Sequence, residues 1–290
     1  MITQGENDVL LAFADNGHVA TCFMSSVLRA FSEDASREQR GMKRRLTEYY
    51  TGTGPYIHDN RARIARYFLE NTNKQWLWMV DNDIQFQDDA LYYLLEAAEE
   101  HDTKILGGAY WNRYPGSACY LSWLVFTPRG IVAVPELPSD TSKPVEISAC
   151  GMGCTIIHRE VVQDIADMYA NDPWDTYGAD ILLTFDDGRS LVGRSMDELK
   201  DKAEQYESEG ANLACPPQRM GEDVTFCLRA RYAGYPTYGL PSLVVEHFKP
   251  TFMPHGLPGE KPEGVPSFDL SDRGEVAERD KAALLALKED

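Results

Sequence analysis

The sequence predicts an α/β fold in which helices flank a mostly parallel central sheet. Short apolar runs typical of buried strands alternate with longer segments that carry apolar residues at helical spacing. The first run, Val9–Ala14, is continuously apolar, which suits a strand buried on both faces. With 290 residues, 43% of them hydrophobic, the chain is long enough for one large domain with a sizeable core.

The N-terminal third of the chain carries two predicted helices and a second strand. The turn sequence Asp15-Asn16-Gly17 ends the first strand, and a helix is expected from there through Phe31. Residues 32–55 show no clear period and stay unassigned. A second helix is expected over Asp59–Glu70, and the apolar run Trp76–Val80 predicts a buried strand. On the second helix, Ile64, Tyr67 and Phe68 define the expected buried face, with the arginines elsewhere: Arg61, Arg63 and Arg66.

The middle of the chain alternates in the same way. Asp88-Asp89 suits the start of a helix whose apolar residues face the core, and a strand is expected at Ile105–Ala109. Gly107-Gly108 and Gly151-Met152-Gly153 permit close approach of a ligand to the backbone. Further strands are expected at Tyr120–Thr127, Ile131–Val134, Val145–Ala149 and Cys154–His158.

Residues 175–215 are interpreted as an insertion. It contains a hairpin turn at Asp186-Asp187-Gly188 and a capping box at Ser195–Glu198. A helix is then expected from Gly221 to the cap Gly234, followed by a strand at Leu243–His247. The segment 255–290, rich in Pro, Gly and charge, is predicted to be a tail with one short helix.

Composition disfavours some classes of protein. The net charge of −18 disfavours a nucleic-acid surface, whose usual footprint is basic. No apolar stretch is long enough to span a bilayer, and the N-terminus does not read as a signal peptide. The six scattered cysteines are expected to be reduced thiols in a cytoplasmic protein.

Asp81 and Asp83 directly follow the buried strand Trp76–Val80. Ligands of open α/β sheets bind at the carboxyl ends of strands, and two carboxylates there repel each other unless a cation neutralises them. Mg²⁺ or Mn²⁺ takes such oxygens together with phosphates and water. His247, at the end of the last strand, is a candidate third ligand that favours manganese. A solvated turn and a structural histidine are the alternatives that spacing leaves open.

Glu222 and Asp223 open a predicted helix and are candidate catalytic bases. A carboxylate at this point can take the proton from an acceptor hydroxyl during an inverting displacement at a sugar carbon. An ordinary acidic helix start is the alternative. Trp111 and Trp174 offer flat apolar faces on which an acceptor sugar can stack, although tryptophans are also common in cores.

In chain order, these pieces resemble the GT-A-fold glycosyltransferases, especially the short soluble ones of bacteriophages and bacteria. The resemblance runs from Val9 to His247, about four fifths of the chain. The matching motifs are Asn60-Arg61, Trp78–Asp83, Ile105–Tyr110, Gly151–Glu160, Gly221–Asp223 and His247.

The resemblance implies a single GT-A (Rossmann-like) domain over residues 1–254. It implies metal-dependent transfer of a sugar from a nucleotide-diphosphate donor to a hydroxyl of a glycan or protein. The donor-binding residues that it implies include three of the glycines named above. They are Ala14, Asp15, Arg61, Asp81, Asn82, Gly108, Gly151 and Gly153. It also implies a metal held by Asp81, Asp83 and His247, and an acceptor met by Glu222 or Asp223.

Four alternatives remain beside this hypothesis. Glycosylation of modified DNA bases is disfavoured by the acidic charge, and a non-catalytic nucleotide-sugar-binding protein would bind a donor without turnover. A haloacid-dehalogenase-type phosphatase would also use Asp81 and Asp83, but Ile84-Gln85 follows where that class needs Thr or Val. A nucleotidyltransferase needs a basic loop after the first strand, and Asp15–His18 lacks one.

Overall fold

The computed structural model describes residues 9–112, 120–127, 130–134, 136–168 and 180–248. Trp174, residues 175–179 of the predicted insertion and the 255–290 tail therefore lie outside the described residues. The helices in the described part are Thr21–Gln39 (α1), Ile57–Asn71 (α2), Ala90–His101 (α3), Arg159–Met168 (α4), Met196–Ser208 (α5) and Glu222–Tyr232 (α6).

The strands fall into one large sheet and several small ones. The large sheet contains Val9–Asp15 (β1), Leu46–Thr53 (β2), Trp76–Val80 (β3), Ile105–Ala109 (β5), Val145–Ile147 (β10), Cys154–His158 (β12) and Thr237–Val244 (β16). The remaining strands are Ile84–Gln85 (β4), Trp111–Asn112 (β6), Tyr120–Leu121 (β7), Trp123–Thr127 (β8), Gly130–Ala133 (β9), Ala149–Cys150 (β11), Ile181–Thr184 (β13), Ser190–Gly193 (β14), Gln218–Arg219 (β15) and Glu246–His247 (β17).

The central sheet has the strand order β2-β1-β3-β12-β5-β16-β10. β1 pairs in parallel with β2 and β3, and β5 pairs in parallel with β16. β12 is antiparallel to both of its neighbours, and β10 is antiparallel to β16. The predicted α/β fold with a mostly parallel sheet flanked by helices is thus confirmed, with β12 and β10 as the two reversed strands.

Side chains alternate across the sheet and form one hydrophobic cluster on each face. Leu10, Ala12, Leu77 and Met79 point to the face covered by α2, α4 and α6. Val9, Leu11, Trp76 and Trp78 point to the opposite face, which α1 and α3 cover. Because both faces are buried, the strands can be continuously apolar, as the sequence predicts for Val9–Ala14 and Trp76–Val80.

Several element boundaries differ from the prediction. α1 continues past Phe31 to Gln39, and the unassigned stretch that follows contains the edge strand β2. The expected strand Tyr120–Thr127 is two strands, β7 and β8, separated at Ser122. The helix that begins at Glu222 ends before Gly234, whose φ of 92° is the left-handed conformation expected of a helix cap.

Arg61 lies on the buried face of α2, whereas the sequence prediction placed it elsewhere on the helix. It precedes Ile64 by three residues and Phe68 by seven, so the helical period places it on the same face. Its side chain is 2% exposed. The prediction was wrong because it grouped the arginines by residue type instead of by position.

Residues 180–219 form a small sheet with its own hydrophobic cluster. The strand order is β14-β13-β15, and α5 packs against it through Leu199. The turn at Asp186-Asp187-Gly188 and the helix cap of Ser195, whose Oγ accepts from Glu198 N at 3.2 Å, are both present as predicted. This small sheet is joined to α6 by an ion pair between Asp180 and Arg229.

Two further sequence expectations concern cysteines and membranes. The cysteines in the described part of the chain are free thiols: Cys22, Cys150, Cys154, Cys215 and Cys227. Among the helices described, none has the length and apolar character needed to cross a bilayer.

Candidate functional site

A cavity of about 410 Å³ opens at the carboxyl edge of the central sheet. This volume is in the range of small-molecule sites. Its wall contains four carboxylates, one guanidinium and one imidazole. The lining residues are Ala14, Asn16, Pro55, Ile57, Asn60, Arg61, Asp81, Asn82, Asp83, Tyr110, Glu222, Asp223 and His247.

The sheet topology brings these residues together. Ala14 lies at the end of β1, Asp81 directly follows β3, and Tyr110 directly follows β5. These strands are parallel, so their carboxyl ends share one edge. β12 runs the opposite way, so the residue before it, Gly153, lies at this same edge, where its carbonyl accepts from Asp81 N at 3.0 Å.

A short two-stranded ladder places His247 beside Asp83. β17 pairs antiparallel with β4, with His247 opposite Ile84, and Phe248 N donates to the carbonyl of Asp83 at 2.8 Å. His247 Nε2 lies 3.1 Å from Asp83 Oδ2, and Nδ1 is buried without a hydrogen-bond partner. Asp83 and His247 are therefore neighbours, and their role as metal ligands stays a prediction.

Arg61 connects two carboxylates that are far apart in sequence. Its Nη2 donates to Asp81 Oδ1 at 2.7 Å, and its Nη1 donates to Glu222 Oε1. Desolvation lowers the pKa of the buried guanidinium, but attraction from Asp81, Glu222 and Asp223 outweighs it, so the pKa of Arg61 is raised. Arg61 is therefore a fixed positive charge in the cavity wall.

Asp223 is a carboxylate with a different environment from its neighbour Glu222. Its Oδ1 accepts from Val224 N at 2.8 Å, whereas Glu222 is held by Arg61. Burial raises the pKa of Asp223 to about 6, against the lowering effect of Arg61. A carboxyl group in a cavity with such a raised pKa is a candidate general base.

Tyr110 is a cavity residue that the sequence prediction did not include among the site residues. Its Oη accepts from Gly153 N at 3.2 Å, and its ring packs edge-to-face on His247 at 5.4 Å. A Cβ at Gly151 would lie 2.1 Å from Tyr110 Oη, and one at Gly153 would lie 2.7 Å from its ring. Both glycines therefore make room for Tyr110, which is a packing reason beside the predicted donor contact.

The sequence contained a signal that could have identified Tyr110 as a site residue, because it directly follows a predicted strand, as Asp81 does. Of the donor-binding residues predicted, Ala14, Arg61, Asp81 and Asn82 line the cavity. Asn82 Nδ2 also donates to the His18 carbonyl at 2.7 Å and so joins two of the loops. Further lining residues that the prediction omitted are Asn16, Pro55, Ile57 and Asn60.

Five other predicted residues are described but do not line the cavity: Asp15, Gly108, Trp111, Gly151 and Gly153. The Asp15 carboxylate accepts from Gly17 N at 2.7 Å and closes the turn after β1. Gly108 lies against Leu243. Trp111 is 39% exposed and belongs to β6, which pairs antiparallel with β7.

The residues present fit a divalent cation that takes only part of its shell from the protein. Nowhere in the described residues do three His, Cys, Asp or Glu side chains converge as a metal-holding group. Asp81 is paired with Arg61. The Asp83 carboxylate and the His247 imidazole are neighbours, and these two groups are the ones that would bind a cation. One or two protein ligands plus phosphates and water are an ordinary arrangement for such cations.

No protein-family model matches the sequence, and no curated protein matches it. Among solved structures, the chain is similar to A197 from STIV, with a TM-score of 0.47 and 18% identity, covering 84% of this chain and 86% of that one. It is also similar to GalNAc-T7, whose crystal structure contains UDP, GalNAc and Mn²⁺, with a TM-score of 0.46 and 12% identity. That match covers 84% of this chain and 44% of GalNAc-T7. At such low identity, the roles of the cavity residues depend on their own geometry.

Proposed function

We propose that this chain is a metal-dependent glycosyltransferase that moves a sugar from a nucleotide-diphosphate donor to a hydroxyl of a glycan or protein, with inversion. The observation that carries the proposal is the composition of the cavity. It combines a neighbouring carboxylate and imidazole, Asp83 and His247, with a second carboxylate of raised pKa, Asp223, at the carboxyl edge of an α/β sheet.

Asp223 is the proposed base. It takes the proton from the acceptor hydroxyl as that oxygen bonds to the anomeric carbon, and the bond from this carbon to the diphosphate breaks with its electron pair going to the phosphate oxygen. Glu222 is the weaker candidate, because its carboxylate is already paired with Arg61. Attack on the face opposite the leaving group gives inversion, which distinguishes this step from a retaining one.

Asp83 and His247 are the proposed ligands of Mn²⁺ or Mg²⁺. When bound, the cation supplies positive charge to the departing diphosphate. The cavity itself has one guanidinium against four carboxylates, so a diphosphate binds there poorly unless a cation accompanies it. The same acidity, with the net charge of −18, disfavours a nucleic-acid acceptor such as a modified DNA base.

A thermal-shift screen of nucleotide sugars with and without Mn²⁺ tests binding. A ligand that binds the folded state at about 100 times its Kd stabilises it by about 2.7 kcal/mol, so the cognate donor raises the melting temperature and does so only with the metal. Donor hydrolysis then tests turnover. Asp83→Ala abolishes metal-dependent hydrolysis, whereas the matched control Asp88→Ala, an exposed aspartate paired with Arg29, retains it.

The outcomes separate the proposal from its main rival. Full activity of Asp83→Ala, or of the parent in excess chelator, would refute the metal-dependent mechanism. Metal-dependent stabilisation by one donor with no transfer to water or to any glycan or peptide acceptor would identify a non-catalytic nucleotide-sugar-binding protein. NMR of the new anomeric centre decides between inversion and retention.

A further inference from the structure

The cavity contains two pairs of neighbouring acids, Asp81 with Asp83 and Glu222 with Asp223. The two pairs lie on different elements. The first pair comes after the end of β3, and the second pair is at the start of α6. Arg61 bonds to one member of each pair, Asp81 and Glu222, and both bonds come from the two terminal nitrogens of one guanidinium. The members that Arg61 leaves have other neighbours: His247 contacts Asp83, and Val224 N donates to Asp223.

The position of Arg61 makes this selection rigid. Its side chain is 2% exposed, and those of Asp81 and Glu222 are 23% and 17% exposed. Arg61 enters from the buried face of α2, one turn after the start of that helix, where Ile64 and Phe68 fix the backbone in the core. A planar guanidinium with two parallel donors holds two carboxylates in a defined geometry, which a lysine ammonium does not.

We infer that Arg61 is a positioning residue that gives the four acids different roles. It holds Asp81 and Glu222 in ion pairs, so that Asp83 binds the cation and Asp223 acts as the base. The inference rests on the proposed function, because it assigns the roles within that site. The two aspartates of the Asp81-Asn82-Asp83 loop are therefore not equivalent ligands, because Arg61 holds Asp81.

Loss of Arg61 then has opposite effects on cation binding and on turnover. Without the guanidinium, Asp81 is free to join Asp83 and His247 around the cation, and affinity for divalent cations rises with the number of charged ligands. The freed Glu222 lies beside Asp223 at the start of α6, and the helix start loses the ion pair that ties it to α2. Turnover therefore falls while metal binding strengthens. A residue with only a structural role would weaken both.

The test is a titration of the full chain with Mn²⁺ alone, followed through the EPR signal of the free ion. Arg61→Met is expected to bind Mn²⁺ at least about tenfold more tightly than the parent, because a carboxylate ligand is added. The double variant Arg61→Met/Asp81→Asn has the charge of the parent, and its affinity returns to within about threefold of the parent. The control Arg66→Met removes an exposed arginine of the same helix and leaves the affinity unchanged.

A second double variant, Arg61→Met/Glu222→Gln, separates a new ligand from a change in the electric field. It also has the charge of the parent but keeps the Asp81 carboxylate, whereas salt would screen the field of a side chain that is 2% exposed only weakly. A gain that survives in this variant supports the inference. A gain that disappears in it, or one that persists in Arg61→Met/Asp81→Asn, overturns the inference. Donor hydrolysis by Arg61→Met under saturating Mn²⁺ is expected to show a kcat at least about tenfold below the parent, because a misplaced base loses part of an acid–base contribution of about 10²–10⁴-fold.

Two variants that keep Arg61 decide the matter if Arg61→Met does not fold. Each removes one negative charge, and Asp83→Asn is expected to weaken Mn²⁺ binding more than about tenfold, whereas Asp81→Asn weakens it less than about threefold. Equal losses overturn the inference. If the parent binds Mn²⁺ but Arg61→Met binds it no more tightly, only the role of Arg61 is wrong. If neither binds Mn²⁺, the metal dependence in the proposed function is wrong as well.

Discussion

Replacing Asp180 by Asn is expected to lower the melting temperature of the protein well below that of the parent. Asp180 accepts two hydrogen bonds from Arg229, at 2.8 Å from Nη2 and 3.1 Å from Nε. The side chains of Arg229 and Asp180 are 0% and 3% exposed. The substitution keeps the shape of residue 180 but removes its charge, so the buried guanidinium of Arg229 loses the carboxylate that accepts these two hydrogen bonds.

The size of the loss follows from this burial. Removing one partner of a buried ion pair costs about 3–5 kcal/mol, because the remaining charge loses attraction that offsets its desolvation. For a chain of this size, 1 kcal/mol lowers the melting temperature by about 2–4 °C, so a fall of about 10 °C is expected. The double variant Asp180→Asn/Arg229→Met removes both charges and recovers most of this loss.

Urea and thermal denaturation, followed by circular dichroism, measure the free energy of unfolding. The matched control is Glu146→Gln, which breaks an ion pair with Arg231 whose side chains are 54% and 45% exposed. It is expected to cost less than about 1 kcal/mol, as exposed pairs do. A cost of under about 1 kcal/mol for Asp180→Asn, or a double variant no more stable than the single one, would refute the reasoning.

Two further predictions concern the cavity. Because a base must be ionised, kcat/KM falls as the pH drops through the Asp223 pKa of about 6; a profile flat down to pH 4, or an active Asp223→Asn, contradicts this role. Gly151→Ala puts a Cβ 2.1 Å from Tyr110 Oη and is expected to cost about 1–3 kcal/mol in urea unfolding. Adding Tyr110→Phe removes that oxygen and restores part of the loss; no recovery would point to another clash.

The buried strands were the most predictable part of the fold. The runs Val9–Ala14, Trp76–Val80 and Ile105–Ala109 are apolar throughout, and such runs have few alternatives to burial in a covered sheet. β2 could not be found in this way, because an edge strand with one exposed side carries the mixed sequence LTEYYTGT. The reversed direction of β12 is likewise a property of the sheet, since its own residues look like those of a parallel strand.

The candidate site was predictable to the extent that it depends on strand ends. Asp81, Asp83 and His247 follow strands in the sequence, and the structure places all three on the cavity wall. What the sequence did not reveal is the pairing of Arg61 with Asp81 and Glu222, because it depends on residues that are 20 and 161 positions apart. A charged residue at the helical spacing of buried ones is the signal that would have indicated it.

α6 links the two regions in which these predictions lie. Its first residues, Glu222 and Asp223, belong to the cavity, and Arg229, about two turns later, anchors the small sheet through Asp180. Thr225 strengthens the anchor, because its Oγ1 accepts from Asp180 N at 3.1 Å. The orientation of the proposed base therefore depends on contacts at both ends of one helix, with Arg61 at its start and Asp180 farther along. A loss of activity after a change in the small sheet would follow from this linkage without any contact between that sheet and the substrate.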